Sequence, residues 1–160
     1  MKEALSAFWQ AMTALIGLAV FLSLMWWIVR ANAFWWRKVA ASYAGKPVSR
    51  SLARKVPETI VVTGRPGSTA PAGYRQYAGA TIAIHADGLS LDQVPPFNIH
   101  CPPLFLPFAE MEVRETDWML WPDAYVIRMR RCPDADIIVA KRVVAWVREH
   151  VDAPPFGLGA

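Results

Sequence analysis

The stretch ALSAFWQAMTALIGLAVFLSLMWWIV (residues 4–29) contains no charged residue and decides the architecture of the chain. As an α-helix its 26 residues would extend about 39 Å, against a hydrocarbon core of about 30 Å. The run is far longer than the apolar region of a signal peptide, and bulky Trp26 and Trp27 precede the small residues at 31–33 that resemble a cleavage site. The stretch therefore predicts an uncleaved transmembrane helix over residues 1–30.

Tryptophans mark the depth of the predicted span. Trp9 lies near one end, and Trp26 and Trp27 lie at the other, where an indole ring with its polar N–H prefers the headgroup level. Trp35 and Trp36 form a second aromatic pair further along the chain. We assign all five residues to the membrane interface. For the second pair we leave an alternative open, in which both rings pack into the domain that follows.

The distribution of charge predicts the orientation of the span. From Arg30 to Arg75 the chain has nine lysines and arginines and one acid, whereas from Gln76 onward it has seven basic and eleven acidic residues. Basic residues close to the end of a span stay in the cytoplasm. We therefore expect the inner (cytoplasmic) membrane, with the N-terminus outside and the domain inside. Two cysteines, Cys101 and Cys132, are too few for a disulfide framework and fit a reducing compartment.

Residues 31–57 read as a basic juxtamembrane arm. Near a cytoplasmic leaflet, each basic residue contributes about 1 kcal/mol of attraction to anionic lipid headgroups. The alternative is that these charges only set the orientation of the span in the membrane and bind no lipid. The predicted membrane span and the excess of acidic residues from Gln76 onward argue against nucleic acid as a partner. The arm has six basic residues with no acid between them: Arg37, Lys38, Lys46, Arg50, Arg54 and Lys55.

One face of the predicted span carries small and weakly polar residues. Gln10, Thr13 and Gly17 follow one another at helical spacing, and alanines adjoin them. Small residues let two helices approach closely in lipid. We therefore predict that this face docks against a membrane-protein partner.

Short strand-like segments follow from residue 58. Alternating residues 81–85, the dipeptide Asp87-Gly88 and the leucines after it form a hairpin signal. A loop with four prolines is expected at 94–103. Further strands are expected at 59–63, 74–77, 104–108, 111–114, 118–121 and 125–129, with a turn at Pro122-Asp123.

A C-terminal amphipathic helix is predicted over residues 138–151. Asp134 or Asp136 would cap its start, where a carboxylate satisfies unpaired N–H groups. Six or seven strands and this helix make a small α+β domain at 58–152, and the tail at 153–160 is expected to be flexible. The helix prediction depends on four apolar residues that fall on one face: Val139, Val143, Trp146 and Val147.

Three short motifs resemble a group of small bacterial membrane-associated proteins with a PH/GRAM-like domain. Residues 36–43, WRKVAASY, match W-x-x-[LV]-A-x-x-Y, and residues 102–111, PPLFLPFAEM, match P-P-L-F-I-P-W-x-E-I with Phe108 in place of Trp. The segment DGLSL at 87–91 also fits. The resemblance implies a PH-like bent antiparallel sheet or barrel closed by the C-terminal helix, with a generic α+β sandwich as the alternative. It supplies no catalytic residue.

The residues that usually carry chemistry do not converge in the sequence. His85, His100 and His150 are spread over three elements, and no paired Cys/His spacing of a metal site occurs. We therefore expect no catalytic residue, metal or cofactor, ordinary surface or edge histidines, and buried cysteines. Core packing is the first interpretation of the segment after the prolines, and a candidate ligand groove is the second. Three residues would line that groove: Leu104, Phe105 and Phe108.

These features favour a non-enzymatic single-pass membrane protein. It would present a PH-like interaction domain at the cytoplasmic face, as an accessory subunit of a larger membrane complex. The alternative is a lipid or small-ligand binding module with a groove at 96–108, and a membrane-tethered enzyme is the third reading.

Overall fold

The computed structural model describes residues 2–47, 49–68, 73–95, 97–119 and 121–151, with the side chains of residues 2–5, 7, 55 and 56 left outside that description. Two compact units divide the chain, Met1–Asn32 and Ala33–Ala160. The tail expected to be flexible, 153–160, lies outside the described residues. The domain therefore begins at Ala33, and not at residue 58 as the sequence suggested.

The first unit is one long helix, α1 (Lys2–Asn32). Within it, Phe8–Asn32 is long and apolar enough to cross a membrane, and none of its most apolar stretch is buried. An uninterrupted apolar run without proline keeps every internal backbone group bonded within the helix, which is what a bilayer requires. The prediction of an N-terminal apolar helix is confirmed.

The second unit is built on one antiparallel sheet that curls into a half-barrel. Its seven strands have the order β4-β3-β2-β1-β7-β6-β5, and the two edge strands, β4 and β5, are consecutive in the chain. In a flat sheet, six gaps of about 4.8 Å would separate the edges by about 29 Å. Only the three-residue turn Phe108–Glu110 joins them, which spans about 10 Å, so the sheet must curl. The strands are β1 (Ala53–Gly64), β2 (Tyr74–Ile84), β3 (Gly88–Gln93), β4 (Leu104–Pro107), β5 (Met111–Trp118), β6 (Trp121–Met129) and β7 (Cys132–Ala140).

Strand β1 is the centre of the sheet and bends. It pairs with β2 along most of its length and with β7 from Ile60 to Gly64, with register shifts around Glu58. Opposite this bend, Gly79 in β2 has a φ of +73°, which favours glycine. Alternate residues face opposite sides of the sheet, so Ile60 lies in the main core and Val61 on the outer face.

The predicted hairpin and proline-rich loop are confirmed. The His85 N–H donates to the Gly88 carbonyl at 2.9 Å, which closes the turn between β2 and β3. Described residues 94–95 and 97–103 contain no strand. Segments 74–77 and 81–84 are parts of one bulged strand, β2, which ends one residue before the predicted end at His85.

Two predictions about the C-terminal half are wrong. Pro122-Asp123 does not make a turn but lies inside β6, and the chain reverses between the paired Trp118 and Trp121. Residues 138–140 belong to strand β7, so Asp134 and Asp136 lie in that strand and cap no helix. Consecutive apolar residues in β7 are buried on both faces of the sheet, which leaves no period-2 signal. The C-terminal helix is α3 (Lys141–His150).

Two helices cover the inner face of the half-barrel. The first is α2 (Phe34–Tyr43), inside the segment that the sequence suggested was an arm, and the second is α3. Trp35 and Trp36 of α2 are 5% and 0% exposed and belong to the core of this unit. Their assignment to the membrane interface is therefore corrected in favour of the alternative. Helix α3 adds Val143, Val144 and Val147 to the same core.

Candidate functional site

Helix α2 is fixed to the half-barrel by hydrogen bonds at both ends. The Trp36 indole N–H donates to the Pro102 carbonyl at 2.7 Å, and the Trp36 backbone N–H donates to the Tyr77 hydroxyl at 3.0 Å. At the other end, the Tyr43 hydroxyl donates to Glu110 at 2.7 Å and accepts from the Arg131 backbone N–H at 2.9 Å. These contacts make α2 an integral part of the domain.

Glu110 is accordingly a structural carboxylate. Arg131 donates to it at 2.6 Å, and the hydrogen bonds from Arg131 and Tyr43 lower the pKa of Glu110. Burial and the hydrogen bond to Glu110 raise the pKa of Tyr43. A carboxylate held ionised by two donors is poorly suited to act as a general acid.

The basic arm is partly built into the domain. Arg37, Lys46, Arg50 and Arg54 have exposed side chains, whereas Lys38 is half-buried and lies 3.9 Å from Asp134. The side chain of Lys55 lies outside the described residues. Exposure of four of the charges is compatible with lipid contact and with topology determination alike.

The end of the arm that precedes β1 is held in place. The Leu52 N–H donates to the Ile84 carbonyl at 2.7 Å, and the Ser49 hydroxyl donates to Asp87 at 2.9 Å. His85, only 4% exposed, is 3.0 Å from both the Ser49 carbonyl and the Ser90 hydroxyl. Since a carbonyl only accepts, Nδ1 carries the proton in the Ser49 contact. His85 is therefore a buried structural residue, not the surface or edge residue that we expected.

The three residues of the candidate groove do not line an open groove together. Leu104 and Phe108 are buried in the main core, and Phe105 is half-buried with its ring 5.9 Å from the ring of His85. The structure therefore supports the core-packing interpretation of this segment.

Thiol and metal chemistry find no support in the described residues. Burial raises the pKa of Cys101 to about 11 and also raises that of Cys132, so both thiols stay protonated near neutral pH. The prediction that both cysteines are buried is confirmed. Among the described residues, no group of three or more His, Cys, Asp or Glu side chains could hold a metal ion.

An ion pair on the outer face of the sheet links Arg65, the residue after β1, to Asp136 of β7. Asp136 is buried, accepts from Arg65 at 2.8 Å and lies 3.5 Å from Arg128 on β6. Two guanidinium groups compensate the carboxylate that folding removes from water. We interpret this cluster as structural.

The same outer face carries a surface that the sequence did not lead us to predict. Trp118 and Trp121 pack over a small second core of Val61, Ala124 and Ile138. The ring of Tyr74 meets that of Trp118 edge-to-face at 5.7 Å. Met119, at the tip of the β5–β6 hairpin, is 77% exposed. We call Tyr74, Trp118, Met119 and Trp121 the outer aromatic patch.

A polar cleft of about 280 Å³ lies beside the start of α3, on the side of the β5–β6 hairpin that faces away from this patch. Three carboxylates line it, Glu115, Asp117 and Asp123, together with one ammonium group, Lys141. The Tyr125 hydroxyl donates to Glu115 at 2.6 Å, and this hydrogen bond raises the pKa of Tyr125. With three carboxylates against one ammonium group, the cleft is suited to attract positive charge.

The signal for this surface was present in the sequence. Hairpin tips usually carry Gly, Asn, Asp or Pro, yet residues 118–121 read Trp-Met-Leu-Trp. An apolar tip flanked by acids is better explained by a contact surface than by turn geometry.

In α1, Gln10, Thr13 and Gly17 are all exposed. The Thr13 hydroxyl donates to the Trp9 carbonyl at 2.8 Å, which satisfies it within the helix. No atom of the described residues lies within 4 Å of the position that a Gly17 Cβ would take. Trp9, Trp26 and Trp27 are exposed on the same helix. Docking through this face stays a prediction.

No protein-family model matches this chain, and a comparison with curated proteins found no match either.

Proposed function

We propose that this chain is a non-enzymatic single-pass membrane protein whose half-barrel is an interaction domain at the cytoplasmic face. The observation that carries the proposal is the pairing of a candidate span with a separate folded unit that exposes an aromatic patch on the outer face of its sheet. An exposed apolar patch rimmed by polar residues is typical of a protein-interaction surface. The candidate span and the exposed surface of the folded unit both fit an accessory subunit of a larger membrane complex.

We further propose that the domain is PH-like. Four strands and then three strands form two meanders joined through β1 and β7, and a C-terminal helix packs on the inner face. The two longest motifs of the resemblance also meet in space, through Trp36 with Pro102 and Tyr43 with Glu110. Residues that define a motif and contact each other support a shared fold.

For the orientation, we propose an outside N-terminus and a domain in the cytoplasm, at the inner membrane. The exposed basic residues Arg37, Lys46, Arg50 and Arg54 support this orientation. In sealed inside-out vesicles, a tag after residue 160 should be cleaved by added protease while a tag before Met1 is protected. Cleavage of the N-terminal tag alone would contradict the proposed topology.

One substitution tests whether the span binds a membrane partner through the face that contains Gly17. Gly17→Ile should abolish co-purification of a membrane partner, because a branched side chain holds apart two helices that pack through small residues. Ala19→Ile is the matched control, since position 19 is on the opposite side of the helix. Quantitative mass spectrometry after mild solubilisation measures both variants. Equal recovery of a stoichiometric partner with both variants would contradict docking through this face.

A further inference from the structure

Gln93 is a buried side chain whose polar atoms are left without partners. It is the last residue of β3, is 3% exposed, and neither its amide nitrogen nor its amide oxygen has a hydrogen-bond partner among the described residues. In the part of the chain that the structure describes, no other side chain has two buried polar atoms that both lack a partner. An unpaired amide in a protein interior lowers stability, so a role outside packing has to account for it.

Gln93 faces the inside of the half-barrel, in a row with Glu58. Leu89 and Leu91, which precede Gln93 at two-residue spacing, belong to the main core. In the sheet, Gln93 pairs with Ala80, and Ala80 pairs with Glu58. Directly opposed residues of antiparallel strands project from the same face. The inner face therefore carries a row across three strands, in which the long polar side chains of Glu58 and Gln93 flank the methyl group of Ala80.

The other end of this row is neutral overall. Glu58 is 5% exposed, and Nη2 of Arg142, the second residue of α3, donates to it at 3.0 Å. The ion pair compensates the buried carboxylate, so an additional charge in the row would find no counter-ion in this pair. The Arg142 side chain itself is 67% exposed. Arg142 therefore marks the point at which the row reaches solvent.

We propose that Gln93 is the recognition residue of a binding site for a small primary carboxamide with an apolar body. A glutamine amide offers an acceptor and a donor side by side. A primary carboxamide presents the complementary pair, so two hydrogen bonds satisfy both polar atoms of Gln93 at once. A carboxylic acid has a similar shape but is ionised at neutral pH, which the already compensated pair of Glu58 and Arg142 does not favour. Next to the row on the same face, Ile82 and Leu91 pair with each other and offer apolar contacts to the body of the ligand.

A ligand site accounts for the cost of this residue. The polar atoms of Gln93 are out of reach of bulk water, because both are buried and the neighbouring Ala80 is 0% exposed. Groups that recognise a ligand often lower the stability of the protein that carries them. The inference adds a ligand site to the proposed interaction domain, and it does not depend on the membrane anchoring proposed above.

The first test observes Gln93 directly by NMR, in the full-length protein in detergent micelles with isotope-labelled nitrogen only in the glutamine side chains. The chain has three glutamines, and the other two, Gln10 and Gln76, are exposed and act as internal controls. Butyramide is the probe, and methyl propyl ketone, which has a methyl group in place of the NH2, is the matched control. Millimolar butyramide should shift the side-chain amide resonances of Gln93 alone, and the ketone should shift them far less. Unshifted Gln93 resonances, or equal shifts with the ketone, would overturn the proposal.

Gln93→Met supplies an independent measurement. Methionine has nearly the shape of glutamine without the amide, so the variant should unfold at a temperature about 2–8 °C higher than the wild type. It should also lose the thermal stabilisation that butyramide gives the wild type. Gln76→Met, at an exposed position of β2, is the matched control and should change neither quantity. A Gln93→Met protein that is no more stable than the wild type, or that fails to fold, would show that water or the fold itself uses the amide, and the proposal would be wrong.

Discussion

Replacing Trp36 by alanine is expected to destabilise the domain by about 3–5 kcal/mol, the usual cost of removing a large aromatic side chain from a core. Trp36 is fully buried, its indole N–H donates to the Pro102 carbonyl, and its ring lies 5.2 Å from that of Tyr77. The substitution leaves a cavity and also removes the hydrogen bond to the Pro102 carbonyl. Because small domains are stable by about 5–15 kcal/mol, the loss is a large share of the total.

The matched control is Trp27→Ala. Trp27 is 65% exposed in the first unit, so its removal should leave the stability of the domain unchanged. The measurement is hydrogen exchange of the amides of β1 and β7 in the full-length protein. Faster exchange in Trp36→Ala, with unchanged exchange in Trp27→Ala, is the expected result. Unchanged exchange in Trp36→Ala would mean that α2 is not part of the core. The original assignment of Trp36 to the membrane interface would then stand.

Gly88→Ala is expected to be the second disruptive substitution, by about 1–3 kcal/mol, because overpacking a tight site forces the backbone to move. A Cβ on Gly88 would collide with the Leu106 carbonyl and lie 2.8 Å from the Phe105 ring. Both obstacles belong to the neighbouring strand β4, which pairs with β3 at this point. The ladder between β3 and β4 must therefore separate locally.

Gly45→Ala is the control for that substitution. The Gly45 Cβ position has no atom of the described residues within 4 Å, so the change should stay within about 0.5 kcal/mol. Thermal denaturation of the two variants, monitored by their resistance to protease, measures the difference in stability. A Gly88→Ala protein as stable as Gly45→Ala would show that β4 is not held against β3 as described.

Local signals in the sequence were sufficient for some elements. The charge-free run predicted α1, and Asp87-Gly88 between alternating segments predicted the β2–β3 hairpin, because both depend on residues close together in the chain. Trp35 and Trp36 could not be placed in this way. An indole suits a membrane interface and a protein core equally, and only the distant Tyr77 and Pro102 distinguish the two.

Strand β7 shows a different limit. Ile137, Ile138 and Val139 are buried on alternating faces, and a strand buried on both faces has the same apolar content as a helix start. The outer aromatic patch was missed for a related reason. The apolar residues at 118–121 were a local signal, but the small second core beneath them brings Val61 together with Ala124 and Ile138, more than sixty residues away, and that packing has no local pattern.

The central position of β1 has a consequence for how the chain is made. Strand β1 can pair with β2 soon after both are synthesised. Residues Ile60 to Gly64 also pair with β7, which is synthesised last of the described strands. At about 5–20 residues per second, the roughly 70 intervening residues take about 4–14 s to emerge from a ribosome. During that interval the valines and isoleucine of β1 present an unpaired apolar edge. Until β7 is synthesised, this edge of β1 is therefore open to pairing with a wrong strand.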